Sequence, residues 1–247
     1  MLPRRFSLAS RADAVSAREP ARQLVLDIAP EPHYEAEDFL VSASNGTAWA
    51  AIDLWPDWPD RALVLVGPRG AGKSHLGVIW ARRAGAAIVP AADFAGADVP
   101  ALAGTGHVLI EDADRLGGEE KRLFHLMNLL AETRGSLLLT ACSVPNLWRF
   151  QLPDLLSRLR RAMVVEIFSP DDDLLRAVLV KLLVDRQLTI DISVIDYMLT
   201  RLAPTLDAVR RLVDSLDREA LSRGRRITKM IAADVLEALQ LGEEQDS

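Results

Sequence analysis

Between residues 62 and 168 the chain alternates short, almost uninterrupted apolar runs with longer stretches in which apolar residues recur every three or four positions. The runs at Ala62–Val66, 87–89, 107–110, Ser136–Ala141 and 163–168 read as strands, because a strand covered on both faces carries apolar side chains in both directions. Helices are expected over 45–55 and 74–83, and Pro56, Asp57, Trp58, Pro59 and Asp60 close the first of them before the first core strand. Strands alternating with helices predict an α/β domain built on a parallel sheet.

The pattern changes at residues 169–173. Ser169 can cap a helix, Pro170 suits a first helical turn, and Asp171, Asp172 and Asp173 favour a helix N-terminus. Beyond them apolar residues keep helical spacing over 174–183, 194–202, 206–221 and 227–239, with no strand pattern left. Upstream, Gln23, Leu24, Leu26 and Ile28 belong to a short alternating segment that leads into Pro30, Glu31 and Pro32 and reads as a tether. The expected organisation is a disordered arm over 1–21, the tether over 22–32, an α/β domain over 33–169, a small helical domain over 170–241 and an acidic tail over 242–247.

Composition removes several function classes. With 35 acidic against 29 basic residues the net charge is -6, which disfavours nucleic-acid binding through bulk charge. The single cysteine, Cys142, excludes an intrachain disulfide framework and a Cys-rich zinc site. Polar residues interrupt the basic N-terminus before the apolar core of a signal peptide can form. No uncharged apolar run of about 18 residues suggests a membrane span, so a cytoplasmic protein without a membrane partner is expected.

Gly67, Pro68, Arg69, Gly70, Ala71, Gly72, Lys73 and Ser74 fit G-x-x-x-x-G-K-[ST] directly after the Ala62–Val66 run. Glycines there let successive backbone N–H groups turn toward one anion, Lys73 reaches the terminal phosphates, and the Ser74 hydroxyl can ligate Mg2+. ADP or ATP with Mg2+ is the expected ligand. The 107–110 run ends in Glu111 and Asp112, a pair in which one carboxylate helps hold the Mg2+ shell and the next polarises the attacking water. Glu111 falls where Asp is usual, which weakens the expected hydrolysis; the plainer reading is an acidic loop of Glu111, Asp112 and Asp114. Thr140 and Cys142 stand at the tip of another strand, where a polar side chain could touch the γ-phosphate. Arg158, Arg160 and Arg161 close a helix before the last strand, as a solvated basic helix end or as a source of an arginine finger offered to a neighbouring molecule.

Taken in order, the P-loop, the Glu111-Asp112 strand, the Ser157-Arg158-Leu159 segment and the helical lid resemble the AAA+ domain of the bacterial initiator DnaA. The match is to the Hda family of DnaA-related regulators, through residues 22–28, 37–41, 55–59 and 152–159, and it covers roughly residues 22–241. This resemblance implies an AAA+ P-loop domain followed by a helical lid. It implies negative regulation of replication initiation, in which the protein, held on the DNA polymerase III sliding clamp, promotes hydrolysis of DnaA-bound ATP. Gln23, Leu24, Leu26 and Ile28 would then be the clamp-binding peptide, Arg158 the arginine finger given to DnaA in trans, and Phe39, Leu40 and Val41 neighbours of the adenine. The family's phosphate-sensing lid arginine is replaced here by Pro204, with Arg201 and Arg210 as possible substitutes. Weak or no turnover by the chain itself is expected. The DNA-binding helix-turn-helix module of DnaA has no counterpart, so no direct sequence-specific DNA binding is expected. The competing reading is a self-assembling AAA+ ATPase such as a helicase loader, or an initiator paralogue, in which a homo-oligomer would place Arg158 at identical neighbours.

Overall fold

The computed structural model describes residues 39–223 and 227–245. It opens with helix α1 (Gly46–Asp53), whose N-cap Asn45 ties down the segment before it: Asn45 Oδ1 accepts from the Ser42 amide at 2.8 Å, and Asn45 Nδ2 donates to the Leu40 carbonyl at 2.9 Å. Strand β1 (Ala62–Val66) follows, then α2 (Lys73–Ala84), β2 (Ala87–Pro90), α3 (Ala91–Phe94), α4 (Val99–Gly104), β3 (His107–Glu111), α5 (Glu120–Glu132), β4 (Ser136–Ala141), α6 (Pro153–Arg161) and β5 (Met163–Glu166). The five strands form one parallel sheet in the order β2-β3-β4-β1-β5.

All five residues of β1 are buried, and they divide by the two-residue period of a strand. Ala62, Val64 and Val66 join a core with Leu123 and Leu126 of α5 and Leu155 and Leu159 of α6. Leu63 and Leu65 point the other way, into a core with Ile52 of α1 and Leu76 and Trp80 of α2. Coverage on both faces explains why the strands read as continuous apolar runs, each fully buried Leu or Ile contributing roughly 1.5–3 kcal/mol.

The 163–168 run is shorter as a strand than its apolar length predicts. After Glu166 only one ladder-like bond persists, Ile167 N to Val66 O at 2.7 Å, and the Phe168 amide turns away to the Ser44 carbonyl at 3.0 Å.

Four helices complete the described chain: α7 (Asp172–Asp185), α8 (Ile192–Leu199), α9 (Leu206–Arg223) and α10 (Lys229–Gln245). They close over their own apolar core, including Leu179, Met198, Val209, Leu212, Leu216, Ala232 and Leu236. Asp171, not Ser169, caps α7: its carboxylate accepts from the Leu174 amide at 2.7 Å, leaving Pro170 outside the first turn. The architecture is α/β, a P-loop parallel-sheet domain followed by a small helical lid. No helix among the described residues is long and apolar enough to cross a membrane.

Candidate functional site

Helices α4, α7 and α8 each begin at an aspartate whose side chain accepts a first-turn N–H. Helix α2 begins differently. Its N-cap is Gly72, no side chain caps it, and its first turn carries no acidic residue. The positive end of a twelve-residue helix left without a side-chain cap suits an anion, and residues 67–74 wrap it. Gly67 is required by close approach, since a Cβ there would lie 2.3 Å from the Ile167 carbonyl oxygen. Gly70 has φ +73, and a Cβ there would lie 2.6 Å from Thr205 Cβ.

Lys73 is buried and folds back over the loop, donating to the Gly67 and Pro68 carbonyls at 2.8 Å each; its Nζ is 4.0 Å from Cys142 Sγ. Pro68, Arg69 and Ser74 are exposed, whereas Ala71 is buried beneath the loop. Across from the loop, the ends of β3 and β4 are tied together. The Asp112 amide donates to Thr140 Oγ1 at 3.1 Å, and the Cys142 amide to Asp114 Oδ2 at 3.0 Å. Thr140 thus positions the acidic turn, and Cys142 is exposed.

Glu111 Oε1 and Asp114 Oδ1 are buried without a hydrogen-bond partner among the described residues, an arrangement that a cation would relieve. Among the described residues no group of three or more His, Cys, Asp or Glu could hold a metal alone. A Mg2+ ion fits here in its usual way, with one or two protein oxygens and the rest from phosphate and water.

The segment before α1 reaches the same region. Phe39 is buried, stacks on Trp49 at 5.3 Å and meets the His75 ring edge-on at 5.3 Å. Leu40 packs against the lid core, while Val41 is exposed. The lid closes the remaining side. Thr205 Oγ1 accepts from the Ala208 amide at 3.1 Å to begin α9, and the Leu206 amide donates to the Gly70 carbonyl at 3.1 Å. One turn further, Arg210 stands 3.0 Å from His75 Nδ1. Arg201 is elsewhere, 4.0 Å from the centroid of the Tyr197 ring, and Pro204 is exposed. Of the two candidate lid arginines, Arg210 faces α2. His75 and Thr205 escaped the sequence reading; only their nearness to the P-loop and to the lid boundary could have flagged them.

Arg158 lies at the opposite end of the sheet. It lines a groove of about 380 Å³ together with Ala62 and Leu137, at the starts of β1 and β4, and with Arg61, Arg134 and Arg161. The P-loop leaves the other end of β1, about 13 Å away at roughly 3.3 Å per residue. Arg161 is paired with Asp60 at 2.7 Å; Arg158 has no carboxylate partner among the described residues. The candidate clamp-binding residues Gln23, Leu24, Leu26 and Ile28 lie outside the described residues.

No protein-family model matches the chain, and no curated protein matches it in sequence. Among solved structures it is similar to domain III of the Thermotoga maritima replication initiation protein DnaA, with a TM-score of 0.73 at 20% identity over 84% of this chain and 97% of that one. AMPPCP-bound DnaA from Aquifex aeolicus gives a TM-score of 0.63 at 22% identity, over 78% of this chain and 68% of that one. The Thermotoga maritima RuvB Holliday junction branch migration motor gives 0.57 at 17%, over 78% and 66%. Together with the sheet order and the lid, these similarities establish a DnaA-like AAA+ fold.

Proposed function

We propose that the protein is a nucleotide-binding negative regulator of replication initiation, which acts with the sliding clamp to stimulate hydrolysis of ATP bound to DnaA. The observation that carries this reading is the position of Arg158. Its guanidinium has no carboxylate partner among the described residues and stands a full strand length from the P-loop of its own chain. Such a group serves a nucleotide held by another molecule, where its planar fork would neutralise charge on the transferring phosphoryl group.

Residues 67–74 would hold ADP or ATP, with Ser74 and Glu111 toward Mg2+ and Phe39, Leu40 and Val41 beside the base. When bound, Mg2+ supplies charge neutralisation at the phosphates. Asp112 would orient water. Glu111 replaces the usual Asp and Pro204 the usual lid arginine, which supports little turnover by the chain itself. Residues 23–28 would give the clamp an extended strand with alternating apolar anchors. A cytoplasmic location, and no direct reading of DNA sequence, go with this role.

The same placement of Arg158 also suits a second copy of the chain, as in a self-assembling ATPase. Hydrolysis measured against protein concentration separates the two. The regulator has little turnover alone and accelerates hydrolysis of DnaA-bound ATP when clamp is loaded on DNA, an effect lost in Gln23→Ala. Concentration-dependent turnover of the chain alone, abolished by Arg158→Ala, would establish the self-assembling enzyme instead.

A further inference from the structure

Phe124 and Asn128 lie four residues apart on α5, hence on one face, and that face meets the last turn of α6. There Arg158 donates from NH2 to Asn128 Oδ1 at 2.6 Å, and its guanidinium carbon stands 5.1 Å from the centroid of the Phe124 ring. One contact grips an edge of the guanidinium and the other supports its face. The acceptor is a neutral amide, so the charge remains whole, whereas Asp60 offsets that of Arg161. Arg61 and Arg134 line the same groove beside the Asp60–Arg161 pair, and their unoffset charges repel a further cation. An unrestrained Arg158 would swing away from them into solvent.

We propose that Asn128 and Phe124 are positioning residues for Arg158, a cradle that holds the guanidinium in the groove at full charge before a phosphate-bearing partner arrives. This rests on the reading of Arg158 as a group acting in trans. Holding it in advance removes part of the ordering cost of a long side chain at the moment its guanidinium engages the transferring phosphoryl group, after docking. One of its five N–H groups is spent on Asn128, which leaves the others for phosphate oxygens.

The test uses the full chain, with single-turnover hydrolysis of DnaA-bound ATP in the presence of clamp loaded on DNA. Arg158→Ala should abolish stimulation. Asn128→Ala should lower the maximal stimulated rate about 3- to 10-fold while leaving the half-saturating concentration unchanged, as expected when an ordering cost of one side chain returns. Asn128→Asp should keep or raise thermal stability and still lower the maximal rate, because it pairs the charge; a merely structural asparagine would spare the rate. A wild-type maximum in Asn128→Ala, with Arg158→Ala inactive, overturns the cradle, whereas full activity in Arg158→Ala overturns the trans reading itself. A double-mutant cycle of unfolding with Asn128→Ala and Arg158→Ala needs no DnaA: non-additive losses support the contact and additive ones overturn it.

Discussion

The Leu206 amide donates to the Gly70 carbonyl at 3.1 Å, fastening the first turn of the lid helix α9 to the turn of the P-loop. Thr205 lies against the same glycine, so a Gly70→Ala change meets both a positive φ and a Cβ at 2.6 Å. It should cost about 1–3 kcal/mol, or roughly 3–10 °C in melting temperature. Calorimetry of the two proteins checks this, and an unchanged melting temperature would mean that the lid and loop do not meet this way.

Lys73 holds two loop carbonyls at 2.8 Å and must turn outward to meet phosphate. Removing it in Lys73→Ala should weaken ADP and ATP binding about 10- to 100-fold, because a charge-assisted contact contributes roughly 1.5–3 kcal/mol. Isothermal titration measures it. Intact affinity would contradict the assignment of residues 67–74.

His107 carries a pH dependence of stability. Burial lowers its pKa below the ordinary 6.5, with a smaller contribution from Arg61, and its Nδ1 accepts from the Ser136 amide at 3.2 Å, which requires that nitrogen to be unprotonated. Between the folded and unfolded pKa values the unfolded chain binds more protons. Stability therefore falls as pH drops below about 6.5 and levels off beneath the folded value. Melting curves from pH 7.5 to 5 should show this loss, and it should shrink in His107→Gln.

Asp171 caps α7 at the start of the lid. Asp171→Ala should destabilise by about 0.5–2 kcal/mol, and Ser169→Ala should change almost nothing. The reverse ranking in urea unfolding would move the helix start back to Ser169.

Much of this molecule is legible in the sequence because the signals are local. A strand buried on both faces has to be apolar along its length, as Leu63, Val64 and Leu65 are, and the P-loop spacing encodes its own turn. The contacts that complete the site are not local. Gly70 meets Thr205 across 135 positions, and Arg210 meets His75 across the same separation, which no short-range pattern announces. Nothing local in the sequence marks Phe124 and Asn128, since their role depends on α6 docking beside them. The 163–168 run misjudged its strand because Ile167 and Phe168 are apolar for different reasons. Ile167 is buried in the core, and Phe168 is exposed where the chain turns toward Ser44.

The most direct measurement is the time course of ATP loss from DnaA, with clamp loaded on DNA, in the presence of the wild-type protein or of Arg158→Ala. Rapid loss with the wild type and none above background with the variant, at equal thermal stability, is the expected result. Equal acceleration by both proteins, or by neither, would contradict a role for Arg158 on a nucleotide bound by DnaA.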